Sequence, residues 1–135
     1  MAVDLVVVTP EGEALSESVD QVVLPGGAGE FGVLDGHERF LTPLSLGPMQ
    51  IHRASGSEWA AVSGGFAEVD GSRVVVLVDH CALASEIDQG AVEARRAEAA
   101  DALASLPESH ETEGERARLG EILARAELEL DVVAR

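Results

Sequence analysis

The chain has 135 residues, 46% of them apolar, and a formal net charge of −16. That is the length of one domain, or one domain with a small appendage, and the apolar content supports a core, which excludes wholesale disorder. The acidity is spread along the chain, with three Arg against 12 acids up to Ala84 and six Arg against 13 acids beyond it. A field of that sign argues against nucleic acid and anionic lipid as partners. Cys81 is the single cysteine, so neither an internal disulfide nor a cysteine-built zinc cluster is expected. No basic region precedes Asp4 and no signal peptide is expected. The apolar runs have strand length, well short of the roughly 20 residues of a membrane helix, so any membrane role is peripheral.

Residues 1–84 read as β-structure. Val3 to Thr9 is rich in β-branched residues and runs into Pro10-Glu11-Gly12, a turn signal. Apolar runs recur at Val19–Leu24, Phe31–Leu34, Phe40–Leu44, Met49–His52, Trp59–Ser63, Phe66–Val69 and Val74–Asp79. Glycine-bearing breaks separate most of them, and Asp70-Gly71 reads as a two-residue hairpin turn. Short strands at this spacing predict a sandwich or barrel.

Residues 85–135 change character to Ala, Glu, Arg and Leu. Ser85-Glu86-Ile87-Asp88 fits a capping box that would open a helix, and Thr112-Glu113-Gly114-Glu115 fits a second. After the second, Leu119, Ile122, Leu123, Ala126, Leu130 and Val133 share one helical face. The first helix carries a weaker stripe of Ala91, Ala94, Ala99, Ala102 and Leu103. Around Leu106-Pro107 the two join as a helical hairpin. A face built of alanine buries little area, so the hairpin is expected to dock weakly.

Gly27-Ala28-Gly29-Glu30-Phe31-Gly32 matches the G-x-G-x-x-G pattern of dinucleotide sites. That fingerprint requires a helix opening at its third glycine, so that N-terminal amides meet the pyrophosphate. Here Val33-Leu34-Asp35-Gly36 comes next, a strand and a turn, so the motif reads as a glycine loop between strands. Asp79-His80-Cys81 sets an acid, an imidazole and a thiol side by side, but neighbours on a strand point to opposite faces. Val62-Ser63-Gly64-Gly65 lacks the strand–serine–helix elbow of a hydrolase. His37, His52, His80 and His110 form no metal-spaced pair. Asp88 with Arg95-Arg96 could reach a phosphate, although a helix cap and a solvated helix face account for them as well. No active site emerges from the residues, and a binding or regulatory role fits best.

Segment order adds a resemblance. Leu24-Pro25-Gly26-Gly27-Ala28-Gly29-Glu30-Phe31-Gly32-Val33-Leu34-Asp35-Gly36-His37, then Leu41-Thr42-Pro43-Leu44 and Gly47, resembles the signature of the epsilon subunit of bacterial F-type ATP synthases. Val62-Ser63-Gly64-Gly65-Phe66-Ala67-Glu68-Val69 resembles that family's second hallmark, and Val74 to Asp79 its last long strand. The resemblance spans the chain and implies an α+β fold: an antiparallel β-sandwich of about ten strands over residues 1–84, then an antiparallel two-helix hairpin over 85–135. It implies a non-catalytic central-stalk subunit that needs no cofactor and turns with the rotor. The implied partners are the gamma subunit, the ring of c subunits and, through an extended hairpin, the beta subunit. Nucleic acid is not among them, and the membrane is met only through the complex. The implied place is the cytoplasmic face of the bacterial inner membrane.

Carried over by position, Glu30, Phe31 and His37 are the candidate c-ring contacts. Arg116, Arg118 and Arg125 are the candidate basic groups of an inhibitory second helix. Family members that bind ATP carry Ile/Leu-Asp-x-x-Arg-Ala, whereas Ile87-Asp88 is succeeded here by Gln89-Gly90-Ala91-Val92. Asp88 and Arg95 therefore remain ATP candidates without the motif's arginine, and a nucleotide-responsive module is the alternative reading. The family's usual proline stands replaced by Asp35, and its Ala-Pro by Glu38-Arg39.

Overall fold

The computed structural model describes residues 2–135 and, of His37, the backbone alone. Ten strands come first: β1 (Val3–Thr9), β2 (Gly12–Val19), β3 (Gln21–Gly26), β4 (Gly29–Val33), β5 (His37–Leu44), β6 (Gly47–Arg53), β7 (Gly56–Val62), β8 (Gly65–Gly71), β9 (Arg73–Val78) and β10 (Cys81–Leu83). A 3-10 turn at Ala84–Glu86 leads to α1 (Gln89–Ser105), and a second at His110–Thr112 leads to α2 (Glu113–Ala134).

The strands form two layers. One runs β10-β7-β6-β3 with β4 on the far side of β3, and the other runs β5-β8-β9-β1-β2. A single pairing, Gly26 with Leu44, joins them at a corner. The other pairings are antiparallel apart from β1 with β9, which run parallel. Alternation along each strand fills the space between the layers. Val22, Leu24, Val33, Met49, Ile51, Ala60 and Val62 project from the first layer, and Val3, Leu5, Val7, Val69, Val74 and Val76 from the second. All are fully buried, so the sandwich has one continuous valine-rich core.

Two strands lacked a legible pattern. In β2 only Leu15, Glu17 and Val19 turn inward, and a glutamate interrupts the apolar alternation. β10 has three residues, too few for a period to show. The β8–β9 turn sits one residue later than Asp70-Gly71. Asp70 pairs with Arg73, leaving Gly71-Ser72 as the two-residue loop.

Both expected capping boxes shift. Ser85 lies in the 3-10 turn, where its N–H and O–H donate to Glu58, so it has no hydroxyl free to cap α1. Asp88 caps α1 instead, accepting the Ala91 N–H at 3.1 Å. Before α2 the reciprocal box is Ser109 with Thr112, and Thr112 contributes no side-chain cap to α2 itself. The α1 stripe is rotated as well. Val92 and Ala99 are buried with Arg95, Arg96 and Leu103 half-buried, while Ala91, Ala94 and Ala102 face solvent. Ala99 and Leu103 of the expected stripe do turn inward, and Val92 joins them, which buries more apolar area than that stripe alone would. On α2, Leu119 and Ala126 are buried as expected, joined by Val132 and by Glu129.

Candidate partner-binding surfaces

The glycine loop is the tip of the β3–β4 hairpin. Gly26 pairs with Gly29 and Pro25 with Glu30, so Gly27-Ala28 make the turn. A Cβ on Gly26 would lie 2.6 Å from the Gly29 carbonyl oxygen and 3.0 Å from the Phe31 ring, so any side chain there would force the hairpin apart. β4 ends at Val33 and turns at Asp35-Gly36, so no helix opens after Gly32 and no pyrophosphate cradle forms. Phe31 is half-buried, packed against the core and edge-on to Phe40 with ring centres 5.6 Å apart. Glu30 is exposed. Phe31 thus braces the hairpin that presents Glu30. The His37 side chain lies outside the described residues.

Neighbouring loops are tied to this tip. The Gly27 N–H donates to Pro43 O at 3.1 Å and the Ser45 N–H to Pro25 O at 2.9 Å. Ser63 Oγ accepts the N–H groups of Asp79 and His80, each at 3.0 Å, which makes it a loop staple. Cys81 is half-buried, and burial together with Glu86 pushes its thiol up to about 11, away from nucleophilic use. Among the described residues no group of three His, Cys, Asp or Glu is placed to hold a metal. Beyond the tip, Arg39 pairs with Asp70 at 3.0 Å in full view of solvent.

The outer face of the second layer carries an apolar row that sequence reasoning did not single out. Pro43 pairs with Phe66, Phe66 with Leu77, and Leu77 with Val8, so the four lie side by side across β5, β8, β9 and β1. Phe66 is 51% exposed, Leu77 46% and nearby Leu41 65%. Glu68 and Asp70 border the row on β8. The signal was present in Arg73-Val74-Val75-Val76-Leu77-Val78, which is apolar at both parities although only one parity reaches the core. Gly65 lets β8 start this close to its neighbour, since a Cβ there would fall 2.0 Å from the Leu77 carbonyl oxygen.

The hairpin brings Asp88 and Arg95 to one open pocket of about 410 Å³ and sets Arg118 and Arg125 along another groove, but each of the first two is already engaged. Asp88 is engaged as the α1 cap. Arg95 pairs with Glu129 across the two helices, and Glu129 is only 7% exposed. Arg116 donates to Leu106 O at 3.1 Å and so closes the end of α1. Arg118 bonds Glu115 at 3.1 Å, which raises the guanidinium and lowers the carboxyl from their ordinary values. Arg125 lines a groove of about 780 Å³ between α2 and the loops at Leu46, Ser63-Gly64 and Asp79-His80. Its Nε is buried with no hydrogen-bond partner among the described residues.

A ten-stranded β-sandwich followed by a two-helix hairpin places the chain in the class of ATP synthase delta/epsilon chains. The model of that family's β-sandwich domain matches residues 2–84. The chain belongs to the ATP synthase delta/epsilon chain family. An ATP synthase epsilon chain of Magnetococcus marinus is 42% identical over 120 residues, covering 88% of each chain. One from a Synechococcus strain is 38% identical over 130 residues, covering 93% of this chain and 94% of its own. Among solved structures, a chain of the Euglena gracilis mitochondrial ATP synthase, in an OSCP/F1/c-ring assembly, superposes with a TM-score of 0.76 at 25% identity. That match covers 99% of this chain and 82% of the other. A chain of the Tetrahymena thermophila mitochondrial ATP synthase central stalk and c-ring shares the fold, with a TM-score of 0.61 at 14% identity, covering 98% and 97%.

Proposed function

We propose that the chain is a non-catalytic rotor subunit of an F-type ATP synthase central stalk, coupling ion flow through the c-ring to ATP synthesis. The observation that carries this reading is the exposed row Pro43–Phe66–Leu77–Val8 on a strand framework otherwise closed around its core. A rotor subunit must grip its shaft through a rigid surface, and an apolar row fixed by backbone pairing provides one. We assign this face to the gamma subunit. The glycine tip, with Glu30 presented and Phe31 behind it, is assigned to the c-ring together with His37. A rim charge such as Glu30 sets orientation more than affinity. The subunit would sit peripherally on the cytoplasmic face of the membrane, held by its partners; no helix among the described residues is long and apolar enough to cross a bilayer.

The hairpin, residues 85–135, is assigned a restraining role on ATP hydrolysis through the beta subunit. Arg116 is tied to Leu106 O and the buried Nε of Arg125 lies at the groove, so these two need a rearrangement before they can meet an acidic partner, whereas Arg118 is exposed beside Glu115. The test is a reconstituted complex with the full chain or with residues 86–135 deleted. Hydrolysis should rise on deletion, and an unchanged rate at low proton-motive force would overturn the restraining role. Failure of the full chain to co-purify with gamma and c subunits would overturn the stalk assignment itself.

A further inference from the structure

Residues two apart on a strand share a face, so the outer apolar row Pro43–Phe66–Leu77–Val8 has a second row beside it. There Leu41 pairs with Glu68, Glu68 with Val75, and Val75 with Val6. A third row is built of charges. Asp70 pairs with Arg73 and Arg73 with Asp4, while Arg39 bonds Asp70 at 3.0 Å. Glu68 therefore stands inside an apolar field, with Leu41 and Val75 at its sides and Phe66 before it on β8. In the second and third rows two arginines meet three carboxylates, so one carboxylate is always left over. Asp70 takes Arg39: its hydrogen bond and charge come first in raising that guanidinium above its ordinary value, and the pull of Glu68 comes last. Glu68 itself is exposed and makes no hydrogen bond or ion pair among the described residues. Glu13, opposite Val8, is a different case, because it stands on the edge strand β2 where water reaches it.

We propose that Glu68 is the charge by which this face selects its partner, receiving an Arg or Lys side chain that the gamma subunit presents from the middle of an apolar surface. A partner that covers Phe66 and Leu41 also strips water from the carboxylate between them. A carboxylate dehydrated without a cation opposes binding strongly, and one that gains a cation with good geometry does not. The apolar rows alone would accept any apolar surface. Glu68 turns that tolerance into a choice, because it penalises every surface that lacks a basic group at one position. The penalty applies to a second copy of this chain, whose matching face offers one more carboxylate and no spare cation. The formal charge of −16 acts in the same direction at longer range, drawing a basic surface toward the sandwich.

This deepens the gamma assignment made above and rests on it, so Phe66→Ala runs beside the test as a control. The full chain and its variants are titrated calorimetrically into the gamma subunit. Glu68→Gln keeps the size and the strand fit and removes the charge; Kd should weaken about tenfold or more. The loss should persist in about 1 M salt, where the Debye length is about 3 Å and only a dehydrated contact pair keeps its strength. Glu68→Leu should weaken binding further, since the partner's cation would then meet only carbon. If both Glu68 variants bind as tightly as the parent or more tightly, the charge merely keeps the free chain from sticking to itself, and the proposal is overturned. A loss that vanishes in high salt places Glu68 at a wet rim and overturns it as well. Phe66→Ala separates the two readings. If it weakens binding and the Glu68 variants do not, the selecting charge alone falls; if none of the three does, the face assignment falls with it. Glu68 is exposed in the free chain, so Glu68→Gln should melt with the parent, and this variant decides if Glu68→Leu aggregates.

Discussion

Phe66→Ala tests the assigned gamma face most directly. An aromatic side chain carries roughly 150–250 Å² of surface. With Phe66 at 51% exposure, about 100 Å² remains to be covered by a partner, or about 2.5 kcal/mol at 25 cal/mol per Å². Alanine retains part of that contact, so about 2 kcal/mol should be lost, about a 30-fold weaker Kd. Association costs are common to both proteins and cancel in the comparison. The assay is calorimetric titration of the chain into the gamma subunit, with a thermal melt of the free chain beside it. Phe66 points away from the core, so the melt should move by less than about 1 kcal/mol equivalent. Leu77→Ala, at 46% exposure, should cost about 1 kcal/mol in the same titration. A Kd within threefold of the parent for both variants would refute the assignment of this face, and a melt that falls along with the Kd would show that Phe66 serves the fold instead.

Gly65→Ala drives a Cβ to 2.0 Å from a backbone oxygen that no side-chain adjustment can relieve; about 2–3 kcal/mol of stability should go, lowering the melting temperature by about 10 °C. Glu129→Ala leaves Arg95 without its partner, and since Arg95 is partly solvated the loss should be about 1–2 kcal/mol, read in a melt followed at helical wavelengths. Replacing both residues by methionine should restore most of it. Cys81, pushed up to about 11, should react with a thiol reagent at pH 8 a few hundredfold more slowly than an ordinary thiol of pKa about 8.5. The stability it lends is complete below about pH 8.5 and falls away as pH rises through about 11. The Ser85 hydrogen bonds, and then Arg53, hold the Glu58 carboxyl below its ordinary 4.5. Its contribution is therefore present above that pH and lost below it, so the melts of the parent and of Glu58→Gln should converge as pH falls under about 4.5.

Most of the sandwich was legible because its core obeys a period of two with punctuation. Val3 to Thr9 is a strand with those very bounds, and Pro10-Glu11 turn where the sequence says they turn. The glycine motif could be separated from a nucleotide cradle by its downstream neighbours, since Val33 and Asp35-Gly36 cannot open a helix. The features that stayed hidden depend on partners distant in sequence. Ser85 reads as a helix cap until Glu58, on another strand, takes both of its donors. Trp59 and Arg135 lie far apart in the sequence, and no local pattern brings them together. The outer row was invisible for a different reason. After Arg73, β9 is apolar throughout and looks like a strand buried on both faces, and only the arrangement of layers shows that one of its faces is left open.

The parallel pairing of β1 with β9 bears on how the protein is made. Leu5 pairs with Val74 and Val8 with Leu77, so the first strand synthesised must wait for nearly the last strand of the sandwich before its second edge is filled. The partner row inherits that delay, because Val8 comes from the start of the sandwich and Leu77 from its end. An unfinished chain cannot display the row, which is complete only once both ends of the sandwich have paired.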